Sequence, residues 1–317
     1  MQTHAYADML SVAGLRREHL ICPVFVSERQ QEEGAVVAAM PGVPISRSRD
    51  AVAGVQKISD AGIRSIIVFG IPGSRDGDGS AAADRDGVVQ RATREIKSAF
   101  GRSLDVITDV CVCQYNLSGH CGFVRNGAGV VDNDSTLRVL AEISQSHAEA
   151  GADVVAPSAM MDGQVRAIRN TLDSNGYYSA RILSYSAKHA SSLYTPFRSA
   201  AFARKKGAID KAGYQVSYAN PKQAMREIAG DIEEGADMVM VKPGLAYMDL
   251  VRRAKERFSV PVAVQNVSGE YAMIKAAGMR GWIDEEQCKV ASLAAMKRAG
   301  ADRIISYFAL DVARYLE

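Results

Sequence analysis

The chain has 317 residues, 47% of them hydrophobic, and its 38 basic and 36 acidic side chains leave a formal net charge of +2. Such a chain can fill one large barrel or two ordinary domains. Balanced charge with no long Lys/Arg stripe leaves no footprint for nucleic acid, and the apolar stretches 65–71 and 238–241 fall far short of the roughly 20 residues that cross a bilayer.

The amino terminus, MQTHAYADML, lacks the charged-then-apolar layout of a secretory leader. A cytoplasmic location is expected, and residues 1–18 read as an N-terminal arm. Strand candidates follow in chain order as LICPVFV, DAGIRSIIVFG, LDVITDVCV, EAGADVVAPSA, SARILSYSA, EEGADMVMVKP, VPVAVQNV and RAGADRIISYF. Four of these repeat one phrase, in which an amphipathic helical stretch stops at a Gly suited to a helix C-cap and a β-branched run follows a short polar turn. The runs are continuously apolar, as strands buried on both faces of a parallel sheet are. Eight such strands, mostly separated by helix-length segments, predict a single-domain (β/α)8 TIM barrel over residues 1–317. A doubly wound sheet is the alternative. Two long polar loops, FGIPGSRDGDGSAAADRDG and LYTPFRSAAFARKKGAIDKAGYQ, follow strand candidates and are expected as lids at the catalytic face.

In a barrel, chemistry gathers at the carboxyl ends of the strands. Here those ends carry Asp109, Cys111, Cys113, Ser158, Lys188, Lys242, Ser268 and Tyr307. A lysine of ordinary pKa, about 10.4, is an ammonium at neutral pH and no nucleophile. A second cation nearby and an apolar wall both depress that value and free the amine to attack a carbonyl. Lys188 and Lys242, each ending an apolar run, are therefore candidate Schiff-base formers, against the plainer alternative of lysines paired to carboxylates or reaching solvent. The stretch CVCQYNLSGHC spaces Cys111, Cys113 and Cys121 as C-x-C-x7-C. Five cysteines are an odd number, and three within eleven residues suit a metal better than a disulfide framework. Three thiolates leave the fourth position of a zinc ion open, as in catalytic sites. His120 is expected behind the ligands, and three reduced, packed thiols are the alternative.

With both lysines, the cysteines and a barrel in place, the sequence resembles the porphobilinogen synthase (5-aminolevulinate dehydratase) family. The resemblance runs from MPGVPISRS through FGIPGSRDGDGS, DVCVCQYNLSGHCG, AGADVVAPSAMMDGQVRAIR, SYSAKHASSLYTPFR and MVMVKPGLAYMD to VSGEYAMIKAAG. It implies condensation of two molecules of 5-aminolevulinate to a pyrrole, through Schiff bases on Lys242 for the first substrate and Lys188 for the second. By motif match, Ser268 and Tyr307 contact the first carboxylate, and Arg198, Lys211 and Gln215 the second. Asp109 moves or orients protons, the three cysteines hold Zn2+, and Glu227 supports a Mg2+ site. A homo-oligomer is implied, octameric in the family, although the Arg-rich arm pattern is missing here. The chain departs from the family pattern at Ala159 and Gln164 (family SDMMDGR), Ser199 (FRDA), Gln265 and Asn266 (AYQVSGEY), and Gly244 and Ala246 (KPALPYLD). A relative acting on a different amino ketone, a non-catalytic binder of metal or metabolite, and a single-lysine aldolase are the competing readings.

Overall fold

The computed structural model describes residues 2–29, 37, 39–124, 130–201 and 210–316. Helix α1 (Gln2–Val12) precedes β1 (Leu20–Ser27), a short β2 (Ile45–Arg47), α2 (Ala51–Asp60), β3 (Ser65–Ile71), α3 (Val88–Phe100) and β4 (Asp105–Val110). Then come β5 (Phe123–Val124), β6 (Val131–Asp132), α4 (Asn133–Glu149), β7 (Val154–Pro157), α5 (Gln164–Ser174), β8 (Arg181–Lys188), α6 (Thr195–Ala200) and α7 (Pro221–Glu233). The chain ends with β9 (Met238–Lys242), α8 (Met248–Arg257), β10 (Val262–Asn266), α9 (Ser268–Met279), α10 (Glu285–Ala299), β11 (Arg303–Ser306) and α11 (Ala309–Ala313).

Strands β1, β3, β4, β7, β8, β9, β10 and β11 pair in that order, all parallel, and Leu20 beside Ile304 closes the ring. The expected (β/α)8 barrel is thus the observed one, and all eight strand candidates are its staves. Every residue of β3 and of β9 is buried, which is why their sequences show no polar alternation. β2 adds to the upper end of β1, and β5 and β6 form a separate antiparallel pair. Within the stretch expected as an arm, α1 packs on α10, with Leu10 fully buried and the Tyr6 ring edge-on to Tyr315 at 5.4 Å. Residues 202–209 of the second long loop lie outside the described residues.

The repeated phrase has a physical explanation. Its glycines, Gly62, Gly151, Gly235 and Gly300, all have left-handed φ, from 79° to 113°, so each ends a helix as the sequence predicts. In three repeats the next polar residue is an aspartate that clamps the preceding strand. Asp153, Asp237 and Asp302 accept from the backbone N–H groups of Val106, Ile182 and Val262 at 2.8, 2.7 and 2.9 Å. Their own N–H groups return bonds to the carbonyls of the same three residues. Asp153 also holds Lys97 at 2.8 Å. These clamps fix strand register at the amino end of the barrel, opposite the lysines.

Asp153→Ala leaves the amide of buried Val106 without its acceptor, so a loss of about 1–3 kcal/mol is expected. A thermal melt checks it: Asp153→Asn, which keeps an acceptor oxygen, should fall between the parent and the alanine variant.

Candidate active site

Lys188 and Lys242 end adjacent strands and are register partners. Their convergence depends on an irregularity in β8. Ser184 pairs with Val239 and Ala187 with Val241, so β8 spends one residue more than β9 over this interval. Ser184 faces outward, donating to Asp231 of α7 at 2.7 Å, while Tyr185 turns inward beneath both lysines. The Lys188 and Lys242 nitrogens stand 5.6 and 4.9 Å from the centre of its ring. Tyr194 and Phe197 complete the box around Lys242 at 5.2 and 5.8 Å. Lys188 Nζ donates to the carbonyl of Ser158. Both lysines are buried, and neither forms an ion pair with a carboxylate among the described residues. Burial, and secondarily the Lys188 charge, push the Lys242 amine down to about 7, against a weaker opposing pull from Asp109.

Around the amines a single cavity gathers Asp109, Cys113, Cys121, Ser158, Arg198, Lys211, Gln215, Gln265, Ser268 and Tyr307. Every substrate-contact and proton-transfer residue expected from the sequence lines it. Asp109 accepts from Gln114 Nε2 at 3.0 Å. Tyr307 Oη and the side-chain oxygens of Gln215 and Gln265 are buried without a hydrogen-bond partner. Arg198, on α6, lies 5.8 Å from the Tyr194 ring. Ser268 Oγ accepts from Phe197 N–H at 3.1 Å and donates to the Leu193 carbonyl at 3.1 Å, so it pins segment 193–197 over the lysines. Gly269 lets that segment approach, since a Cβ there would stand 2.6 Å from Leu193 backbone atoms.

The sulfur atoms of Cys111, Cys113 and Cys121 lie within 4.8 Å of one another, and among the described residues they form the one cluster of potential metal ligands. Hydrogen bonds from Cys111 and Cys113 hold the Cys121 thiol well below its ordinary range, and the Cys111 thiol is raised in turn. Lys211 Nζ sits 3.1 Å from Cys121 Sγ. Burial alone lowers an amine, but here the negative charge centred on Cys121 wins and raises Lys211. Three converging sulfurs, two of which line the lysine cavity, form a donor set suited to a metal ion. His120 stands behind them, its Nδ1 3.3 Å from the Tyr214 hydroxyl, which also accepts from Cys121 N–H.

Glu227 is not part of this assembly. It lines a separate depression with Asp162, Gln164 and Asp231, where burial and the Asp162 charge raise its carboxyl. Sequence reasoning missed Tyr185, Tyr194 and Gln114, and also Glu270. The buried Glu270 carboxylate accepts from Leu245 N–H, Val267 N–H and Asn266 Nδ2 at 2.7, 2.8 and 3.0 Å, tying the loop after β9 to the end of β10. The stretch VSGE could have signalled it, since a glutamate three residues after a helix start reaches back to the backbone there.

A family model described as delta-aminolevulinic acid dehydratase matches residues 1–315. The delta-aminolevulinic acid dehydratase of Archaeoglobus fulgidus is 46% identical over 312 residues, 98% of this chain and 94% of that one. A Staphylococcus aureus protein of the same name is 44% identical over 310 residues, 98% and 95% of the two chains. Among solved structures, the Toxoplasma gondii ME49 enzyme in complex with the reaction product porphobilinogen superposes with a TM-score of 0.91 at 37% identity, covering 95% of this chain and 85% of that one. The barrel, the paired lysines and these likenesses agree, and the chain belongs to the delta-aminolevulinic acid dehydratase family.

Proposed function

We propose that the chain condenses two molecules of 5-aminolevulinate to porphobilinogen with release of two waters, using Lys242 and Lys188 as amine nucleophiles. The observation that carries this reading is the shared position of the two buried amines over Tyr185, without a carboxylate counter-ion among the described residues. A neutral amine adds to a ketone and expels water, leaving an imine more electrophilic than the ketone; loss of an α-proton turns an imine into an enamine nucleophile. Two such groups at adjacent strand ends let one substrate serve as electrophile and the other as nucleophile, held at high effective concentration.

The remaining lining residues take roles that follow from their chemistry. Tyr307 Oη, an unpartnered buried hydroxyl, and Ser268 Oγ are donors for the carboxylate of the first substrate. Arg198, Lys211 and Gln215 play that part for the second. Asp109, oriented by Gln114, is the carboxylate placed to move protons. Cys111, Cys113 and Cys121 hold a zinc ion, whose chemistry when bound is to polarise oxygen and to lower the pKa of water. The reduced state of all described cysteines suits a cytoplasmic location. Glu227 supports magnesium on the strength of the family resemblance alone, since its carboxylate joins no cluster of potential ligands among the described residues. Met279 and Trp282 are exposed near the end of α9, and apolar area of that kind supports assembly into a homo-oligomer.

Four outcomes are expected. Lys242→Met abolishes pyrrole formation, read with an aldehyde reagent, while circular dichroism stays that of the parent; near-parent turnover overturns the mechanism. The amine must be neutral to attack, so kcat/KM falls about tenfold per pH unit below an apparent pKa near 7. In Lys188→Met the loss of one cation raises the Lys242 pKa, and the acid limb of levulinate trapping at Lys242 by cyanoborohydride moves to higher pH. Chelation lowers turnover and Zn2+ restores it; indifference to both leaves the thiols structural.

A further inference from the structure

Gln265 has no role in the mechanism above, yet it occupies the strand position that continues the β9–β10 register to the side of Lys242, one residue beyond Val264 and Val241. It is 1% exposed, lines the lysine cavity, and its side-chain oxygen has no hydrogen-bond partner. Its strand neighbour Asn266 turns the other way and is fully satisfied, donating to Glu270 at 3.0 Å and accepting from Ser306 at 2.9 Å. The unpaired amide is therefore a feature of the inward face alone. A buried amide oxygen left unpaired is costly, and such a group in a binding cavity is matched by a ligand donor.

The cavity is rich in donors and poor in acceptors. Lys188, Lys242, Arg198, Lys211 and Tyr307 all present N–H or O–H groups, while the acceptors left to a ligand are the Asp109 carboxylate, which takes one bond from Gln114, and the oxygens of Gln215 and Gln265, of which only Gln265 stands on the strand beside Lys242. An amide beside these cations turns its negative end toward them. That end repels a substrate carboxylate and attracts a substrate N–H. We propose that Gln265 is a specificity-determining residue that accepts a hydrogen bond from the amino group of the substrate bound at Lys242. It thereby selects an amino ketone over the same keto acid lacking nitrogen. The proposal rests on imine formation at Lys242 and names the contact that discriminates there.

The test uses the full chain and two probes, 5-aminolevulinate and levulinate, mixed in equal amounts and trapped with borohydride. Mass spectrometry of the Lys242 and Lys188 peptides gives the ratio of the two adducts at each lysine. In the parent, the amino adduct prevails at Lys242. In Gln265→Leu, which keeps length and removes the acceptor, that ratio is expected to fall about tenfold, the effect of one hydrogen bond to a charged donor. The ratio at Lys188 should hold, which a general loosening of the cavity would not allow. Continued levulinate trapping at Lys242 shows that the variant is folded, and Gln265→Met is read the same way should the leucine variant misfold. An unchanged Lys242 ratio, or equal falls at both lysines, overturns the proposal. Absence of any Lys242 adduct in the parent overturns instead the imine reading on which it rests.

Discussion

The site depends on keeping an amine out of water without giving it a counter-ion among the described residues. Lys242 lies among the rings of Tyr185, Tyr194 and Phe197, with Lys188 on the adjacent strand end. Burial and the Lys188 charge act in the same direction, against a weaker pull from Asp109. The rings exclude water and the second cation repels the first proton, so the neutral form becomes accessible near pH 7. Tyrosine and phenylalanine faces soften this with a weak attraction for the cation, which lets the protonated form persist without a carboxylate. A carboxylate in direct contact would restore an ordinary, protonated lysine.

Three layers of contact hold that arrangement. At the amino end of the barrel, the aspartate clamps fix register between neighbouring strands. At the carboxyl end, Glu270 joins the loops that leave β9 and β10, and so sets the spacing between Lys242 and Gln265. Above, Ser268 and the close approach at Gly269 pin the segment that carries Tyr194 and Phe197. Ser268 thus links the roof of the site to the place where a substrate carboxylate is expected. A carboxylate bidding for the Ser268 hydroxyl competes with the Leu193 carbonyl, so binding and closure of the roof share one group.

Much of this was legible in the sequence because it follows from local rules. The four glycine-ended repeats mark the αβ turns, and continuous apolar runs mark strands covered on both sides. The lysines end β8 and β9 and Cys111 and Cys113 follow β4, where a barrel puts its chemistry, and the cavity takes in both lysines with Cys113 and Cys121. Tyr185 was not legible. Strict alternation along ILSYSAK places it on the face opposite Lys188, and only the extra residue between Ser184 and Ala187 turns both inward. Glu270 was legible only in part: its bonds to Val267 and Asn266 are local, but its hold on Leu245, twenty-five residues away, is set by tertiary contact. The link between Lys211 and Cys121, ninety residues apart, belongs to the same class.

A depressed lysine also has a thermodynamic sign. The unfolded chain binds a proton at Lys242 up to about pH 10.5, whereas the folded chain releases it near 7. Between these values the unfolded state holds more protons, so this group's contribution to stability rises with pH across that window. Below it the full penalty applies, on the order of 5 kcal/mol for a shift of this size. That is comparable to the whole net stability of many domains, so the surrounding barrel has to supply it. The closed ring of eight buried strands, clamped at one end by aspartates and at the other by Glu270, is a scaffold able to do so. The nucleophile and the rigidity of the barrel are two sides of one balance: loosening the roof admits water, raises the pKa of Lys242, and relieves the strain and the reactivity together.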